Sequence, residues 1–308
     1  MLENGNLLFL YAETPFHPGA SGSLGYVDLP VQRETHTGFP IYQASGLKGV
    51  MRERAEKSDN HSVEVKWVFG PEGSGSDHAG CISVGDARLL LFPVRSLKGV
   101  FAWVTCPLVL QRFARDYKSC FKKEPDLKIP SAAEGQALID NTCTVKIDNQ
   151  VVLEEYEFTA IQDAEVGRLA DWLAKNALPQ AQAKVFAAWR ERLKGQLVIV
   201  SDDSFSAFVN FNTMVVNRTK LDNDRKVVAT GALWTEEHLP PDTLMYAPVF
   251  ASAPRKDKTD KKDDVPQTVS SATAVLKWLG ERCGGYLVAG GDETAGRGIL
   301  HAQFYGGE

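Results

Sequence analysis

"VDLPVQRETHTGFPIYQASGLKGVMRE", residues 27–53, decides how the rest of this chain is read. It opens as an extended segment in which Val27, Leu29 and Val31 alternate onto one face, which sends Asp28 to the other. Pro30 confines that segment to a sheet edge or an irregular stretch, so Asp28 is read as accessible. After the turn "THTG", "FPIY" is a second extended piece, and Ser45 is predicted to N-cap a helix from about Gly46 to Lys57. Leu47, Val50, Met51 and Arg54 fall on the inner face of that helix, while Lys48 and Arg52, four residues apart, share another. A helix start with unpaired N–H groups beside two cations is an arrangement suited to phosphate. With Glu53 and Glu56 adjacent, the same pair also reads as a solvated helix face.

Composition narrows the classes open to such a chain. At 308 residues, 44% hydrophobic and 24% charged, it can bury a sizeable core. The formal charge of −5 gives no global basic signature, so a polyanion has to be met by local patches. No apolar run approaches the ~20 residues of a membrane helix. The N-terminal "MLENGNLLFLYAETPF" is acidic where a secretory signal is basic, which sets the expectation of a cytoplasmic protein with no membrane partner. Cys81, Cys106, Cys120, Cys143 and Cys283 are odd in number and form no CxxC pair, as expected of buried thiols.

Outward from the opening stretch, "NLLFLYAETPFH" reads as a buried strand, and Gly19, Gly22 and Gly25 mark a loop. A Gly/Ser loop spans 70–81, followed by strand-like "ISVGDARLLLFPVR" and an amphipathic stretch from about Phe101 to Tyr117. "SAAEGQALIDN" is expected to be helical and "VVLEEYEFTAI" a strand. "DAEVGRLADWLAKNAL" and "QAQAKVFAAWRERLK" are expected to be helices. "LVIVSDDSFSAFVN" is read as strand, and "TMVVNRTKLDNDRKVVATGALWTEEHLP" as a long hairpin with its polar tip near Asp222, Asn223 and Asp224. "PRKDKTDKKDD", 254–264, mixes charges with no apolar position and reads as a mobile surface loop. "TAVLKWLGERC" is a helix, and "YLVAGGDETAGRGILHAQFY" a strand, a glycine-rich loop and a strand. The pattern is α+β, built on an antiparallel sheet.

Three of these pieces in this order, the opening stretch, the hairpin running into "GALWTEEHLPPDTL", and "GGDETAGRG", make the chain similar to the RAMP superfamily of CRISPR proteins. Within it the chain most resembles the backbone subunits of type III-B Cmr effector complexes, over essentially its whole length. The resemblance implies one elaborated domain over 1–308, with a ferredoxin-like, RRM-like core and inserted helical finger regions at about 58–195. It also implies a protruding β-hairpin thumb at about 205–240 and a glycine-rich loop at 290–298. It further implies a subunit that binds crRNA, stacks with copies of itself in a helical filament beside other Cmr subunits, and cuts complementary single-stranded target RNA as an endoribonuclease.

By family position Asp28 is the catalytic acid, as a base or as the ligand of a divalent metal, expected to be Mg²⁺. His17, Glu236 and Glu237 are the supporting groups. Ser45, Lys48, Arg52 and Arg297 are the RNA-binding residues. The family's helix start commonly carries two serines before Leu-Lys-Gly. Here the second is Gly46, while Gln43 and Ala44 replace an upstream proline and glycine, and His238 stands where some relatives have tyrosine. Two other readings remain open on the residues alone. One is a purely architectural crRNA-binding subunit without chemistry, against which Asp28 in its "VDLPVQRE" setting is the main feature. The other is a small-molecule phosphate enzyme, for which "GGDETAGRG" lacks both the Walker Lys-Ser/Thr and full GxGxxG spacing.

Overall fold

A computed structural model describes residues 4–20, 25–58, 63–71, 79–180, 184–221, 228–255 and 265–307. The expectations for Gly22, for most of the 70–81 loop, for the hairpin tip and for most of 254–264 lie outside the described residues. The first half of the chain supplies β1 (Asn4–Ala12), β2 (Ile41–Tyr42), α1 (Ala44–Ser58), α2 (Val63–Phe69), β3 (Ile82–Val84), β4 (Ala87–Ser96), β5 (Val100–Thr105), α3 (Pro107–Phe121), β6 (Gln136–Ile139) and β7 (Gln150–Leu153). The second half supplies β8 (Tyr156–Gln162), α4 (Ala164–Asn176), α5 (Ala187–Gln196), β9 (Leu197–Ile199), α6 (Asp202–Phe211), β10 (Met214–Leu221), β11 (Val228–His238), β12 (Leu244–Ala251), α7 (Ala272–Cys283), β13 (Gly285–Val288) and β14 (Ile299–Tyr305).

The architecture is α+β. Strands β14, β1, β12 and β4 lie side by side, each antiparallel to its neighbour, and the sheet continues through β5, β9, β6 and β8 to β7. Hairpin β10–β11 forms a two-stranded sheet of its own. From Leu7 to Ala12, β1 is buried without alternation, as a strand covered on both faces must be. One face carries Phe9, Tyr246 and Tyr305 against α3 and α4, with Phe113 edge-on to Tyr246 at 5.1 Å and Trp172 edge-on to Tyr305 at 5.3 Å. On the other face Phe304 meets Gly280 of α7, and α1 packs against α7.

Several local expectations are corrected. The Phe101–Tyr117 stretch is broken by Pro107, which ends strand β5 and occupies the first turn of α3, where its missing N–H costs nothing. "SAAEGQALIDN" contains strand β6, since Ala137, Leu138 and Ile139 are buried between β8 and β9 and that burial overrides helix propensity. In "LVIVSDDSFSAFVN" only Leu197–Ile199 is strand. Ser201 then caps α6 by accepting from Ser204 N–H at 3.2 Å, with Asp202 and Asp203 in the first turn. Helix α1 begins at Ala44, so Ser45 lies inside its first turn rather than capping it; the Ala44 N–H donates to Asp86 Oδ1 at 2.8 Å. Arg54 is exposed, and Leu47, Met51 and Ala55 make the inner face of α1.

Candidate functional site

The β1–α1 connection, the lower part of β11 and the loop between β13 and β14 are stitched together by backbone hydrogen bonds. Phe16 and Leu239 exchange two, at 2.9 and 2.7 Å. Leu29 N–H donates to Thr235 O at 3.0 Å and Glu237 N–H to Leu29 O at 2.9 Å, which makes the Asp28 segment a short parallel neighbour of β11. Gly291 N–H donates to His17 O at 3.0 Å, and Gly298 N–H to Pro15 O at 2.9 Å. The three sequence motifs therefore meet at one place.

Asp28 is exposed there, as its alternation predicts, although Leu29 is also 37% exposed and only Val31 of the expected apolar face is buried. Its Oδ2 accepts from Thr235 N–H at 2.8 Å and from Thr235 Oγ1–H at 2.9 Å. Those bonds, the backbone one first, hold the carboxyl below the usual aspartate range, so it is ionised at neutral pH. Among the described residues the two bonds from Thr235 both fall on Oδ2 of this exposed carboxylate. That set suits a cation such as Mg²⁺, which keeps most of its waters and takes one or two carboxylate oxygens besides phosphate.

Glu237 stands apart from Asp28 in character. It is buried, and both its oxygens are engaged: Oε2 accepts from Val31 N–H at 2.9 Å, and Oε1 meets Arg33 Nη2 at 2.5 Å and Thr213 Oγ1 at 2.7 Å. Arg33 also donates to Gly38 O, Val209 O and Asn210 Oδ1. Through these bonds Glu237 fastens the 31–33 segment to β11 and α6. Glu34 continues the anchorage through Arg112 at 2.7 Å and Arg88 at 3.5 Å.

Glu236 and His238 alternate with Glu237 and so share the opposite face of β11. Both are buried. Glu236 Oε1 accepts from Trp234 Nε1 at 2.6 Å, and Arg218 Nε lies 3.3 Å from Oε2. Asp292, with φ of 64°, turns its carboxylate toward the same face, where Arg218 Nη2 donates to Oδ1 at 2.9 Å. Burial first, then the neighbouring His17 and Arg297, lower the pKa of His238. His17 is itself buried, its ring 5.2 Å from that of His238 and its Nδ1 2.5 Å from Glu237 O. The glycines of "GGDETAGRG" serve this packing: a Cβ on Gly290, at φ +79°, would sit 2.3 Å from His17 O, and one on Gly298 would sit 1.9 Å from Ala289 O. Arg297 is half-buried beside His238, its Nε enclosed without a partner.

The cationic helix face divides. Lys48 is partly buried, and desolvation followed by its neighbour Arg52 lowers its pKa. Arg52 is bonded to Glu56 Oε1 at 2.8 Å and to Gly70 O at 3.0 Å, bracing α1 against the end of α2. Gly46 has a packing reason: a Cβ there would lie 2.8 Å from the ring of Tyr42. Thr235, Arg218 and Asp292 were not singled out from sequence. Thr235 and Arg218 read as ordinary strand residues, and an acid within a glycine loop is a weak signal until the fold sets it over β11.

The antiparallel run β14–β1–β12–β4, covered by α3 and α4 on one face and by α7 with α1 on the other, and the junction of three sequence motifs beside it match one family. The chain belongs to the RAMP superfamily, whose profile matches residues 9–301. It is 39% identical over 298 residues to the CRISPR system Cmr endoribonuclease Cmr4 of Pyrococcus furiosus, covering 96% of this chain and 93% of that protein. It is 26% identical over 315 residues to the CRISPR system CMR subunit Cmr4 of Saccharolobus solfataricus, covering 96% and 95%. Among solved structures, oligomeric Cmr4 from Pyrococcus furiosus superposes with a TM-score of 0.72 at 31% identity, covering 99% of this chain and 98% of that one. A chain of the type III-B Cmr-beta complex bound to cognate target RNA shares the fold at a TM-score of 0.70 and 20% identity, covering 98% of each.

Proposed function

We propose that this chain is the backbone subunit of a type III-B RNA-guided effector complex and cuts complementary target RNA as an endoribonuclease. The likeness to a Cmr4 endoribonuclease over nearly the whole of both chains supports the assignment, and the oligomeric Cmr4 structure supports stacking of copies into a filament. On this reading the subunit lies along crRNA in the cytoplasm, beside other Cmr subunits. None of the described helices is long and apolar enough to cross a membrane. The strand order β14–β1–β12–β4, with α1 and α7 packed together, supports a ferredoxin-like core. The separate β10–β11 sheet supports a thumb.

The observation that carries the chemistry is the exposed, ionised Asp28 clamped through Oδ2 by Thr235. Cleavage needs a 2′-oxygen to lose its proton and attack phosphorus while the P–O5′ bond breaks and O5′ takes a proton. A carboxylate with a depressed pKa is a poor base but a good cation ligand, so Asp28 Oδ1 is assigned to position Mg²⁺. The ion, when bound, neutralises charge on the phosphate. His17 and Glu236 shape the pocket behind it, and Glu237 fixes the segment that bears Asp28. Ser45 and Lys48 at the start of α1, with Arg297, contact RNA phosphates, and Arg52 braces the helix. Sequence is read by guide pairing while the protein grips backbone.

The test is single-turnover cleavage of labelled complementary RNA by reconstituted complex carrying Asp28→Asn. Cleavage should vanish with guide and target binding intact, because the exchange keeps shape and removes charge. Retained cleavage at the normal rate would move the chain to the architectural class.

A further inference from the structure

Glu236, His238 and Asp292 bring three donor atoms to within 4.8 Å of one another. His238 Nε2 lies 3.6 Å from Asp292 Oδ2 and 3.9 Å from Glu236 Oε2, beyond hydrogen-bonding distance in each case. Glu236 Oε2, Asp292 Oδ2 and both nitrogens of His238 are enclosed and have no hydrogen-bond partner. His238 is 1% exposed and Glu236 4% exposed. Buried polar atoms of this kind are rarely left unserved, since each costs about 1–3 kcal/mol. The outer oxygens are already held: Trp234 fixes Glu236 Oε1, and Arg218 fixes Asp292 Oδ1. Each carboxylate is thereby oriented with its second oxygen on the side of the imidazole, as outer partners orient metal ligands, and Arg218 Nε lies 3.3 Å from that oxygen of Glu236.

We infer that Glu236 Oε2, His238 Nε2 and Asp292 Oδ2 form a divalent transition-metal site that ties the base of the β10–β11 hairpin to the glycine-rich loop. Bonds of ~2.0–2.2 Å to a four-coordinate ion put ligand atoms roughly 3.3–3.6 Å apart, close to the 3.6 and 3.9 Å that separate His238 Nε2 from the two carboxylate oxygens. One imidazole with two carboxylate oxygens suits Mn²⁺ or Zn²⁺ better than Mg²⁺, which prefers oxygen alone. Arg218 and Arg297 add positive charge nearby, which limits affinity and leaves the two carboxylates as the balancing anions. The site is distinct from Asp28, which is exposed and bonded to Thr235.

Mn²⁺ is the probe of choice, because it is paramagnetic and because a thiol such as the partly exposed Cys143 prefers Zn²⁺ to Mn²⁺. Chelator-stripped full-length protein is titrated with Mn²⁺, bound ion is counted by electron paramagnetic resonance, and thermal unfolding is followed in parallel. One tight equivalent and a raised melting temperature are expected. Binding should weaken at least tenfold in His238→Ala and in Asp292→Asn, the second being an isosteric loop change that preserves folding, and should persist in Asp28→Asn. Absence of tight binding by folded wild type, equal binding by Asp292→Asn, or loss confined to Asp28→Asn would each overturn the assignment.

Discussion

Substitution of Glu237 separates a residue that builds the site from one that reacts in it. Glu237→Ala removes an acceptor from Val31 N–H, a charged partner from Arg33 and an acceptor from Thr213. The stranded N–H costs about 1–3 kcal/mol, and the charge-assisted bond contributes roughly 1.5–3. Arg33 is 22% exposed and keeps Gly38 O, Val209 O and Asn210 Oδ1, so the penalty for an abandoned charge is largely avoided. A loss near 3–4 kcal/mol follows, a large part of the ~5–15 kcal/mol that holds a domain folded. Glu237→Gln retains one carbonyl oxygen for Val31, so its loss should be near ~1–2 kcal/mol. Urea unfolding of the isolated subunit measures both, and cleavage by complex assembled with folded Glu237→Gln should remain within a few-fold of wild type. Abolished cleavage at an unchanged unfolding midpoint would refute the structural role and return Glu237 to the catalytic set.

Lys48→Ala should weaken guide-RNA binding alike for all sequences and reduce the slope of log affinity against log salt by about one, measured by filter binding. Arg52→Ala should leave that slope unchanged and lower the urea midpoint, because its bonds run to Gly70 and Glu56. Glu34 supplies a pH test: burial alone would raise its pKa, but the Thr37 hydroxyl and the Arg112 and Arg88 guanidiniums outweigh it and hold the group below the usual range. With the folded value depressed, its contribution is present above the unfolded pKa of about 4.3 and is lost as pH falls through the folded value. Urea midpoints measured through the acid range should therefore fall less steeply for Glu34→Gln than for wild type.

Periodicity carried the elements whose burial is one-sided or complete. β1 was legible because six successive apolar residues fit a doubly covered strand, and α4 because Val166, Leu169, Ala170 and Leu173 line one face below an Asp163 cap. β6 was misread because Ala, Glu and Gln favour helix locally, whereas a parallel partner more than twenty residues onward decides the outcome. The exposure of Asp28 was legible from its alternation, and its assigned role rests on the family setting. Its partner Thr235 lies 207 residues away in sequence, and no local pattern connects the two. The same distance hid the roles of Glu236 and Glu237: adjacent acids look equivalent on paper, but the pleat turns one toward His238 and Asp292 and the other toward Arg33.

The stitching of the site spans most of the polypeptide. Ile299 N–H bonds to Thr14 Oγ1 across 285 residues, and His17 is embraced by a loop that leaves the ribosome long after it does. Synthesis at ~5–20 residues per second means that the pocket around His17 waits roughly 15–60 s for its last wall, while local elements such as the β7–β8 hairpin close at once. A nascent chain therefore cannot present a finished RNA-cutting surface, and any copy that stops short of the glycine-rich loop is left with the Asp28 strand but without the wall behind His17. Translation itself thus sets when the surroundings of His17 are complete, because its partners lie nearly the whole chain away in sequence.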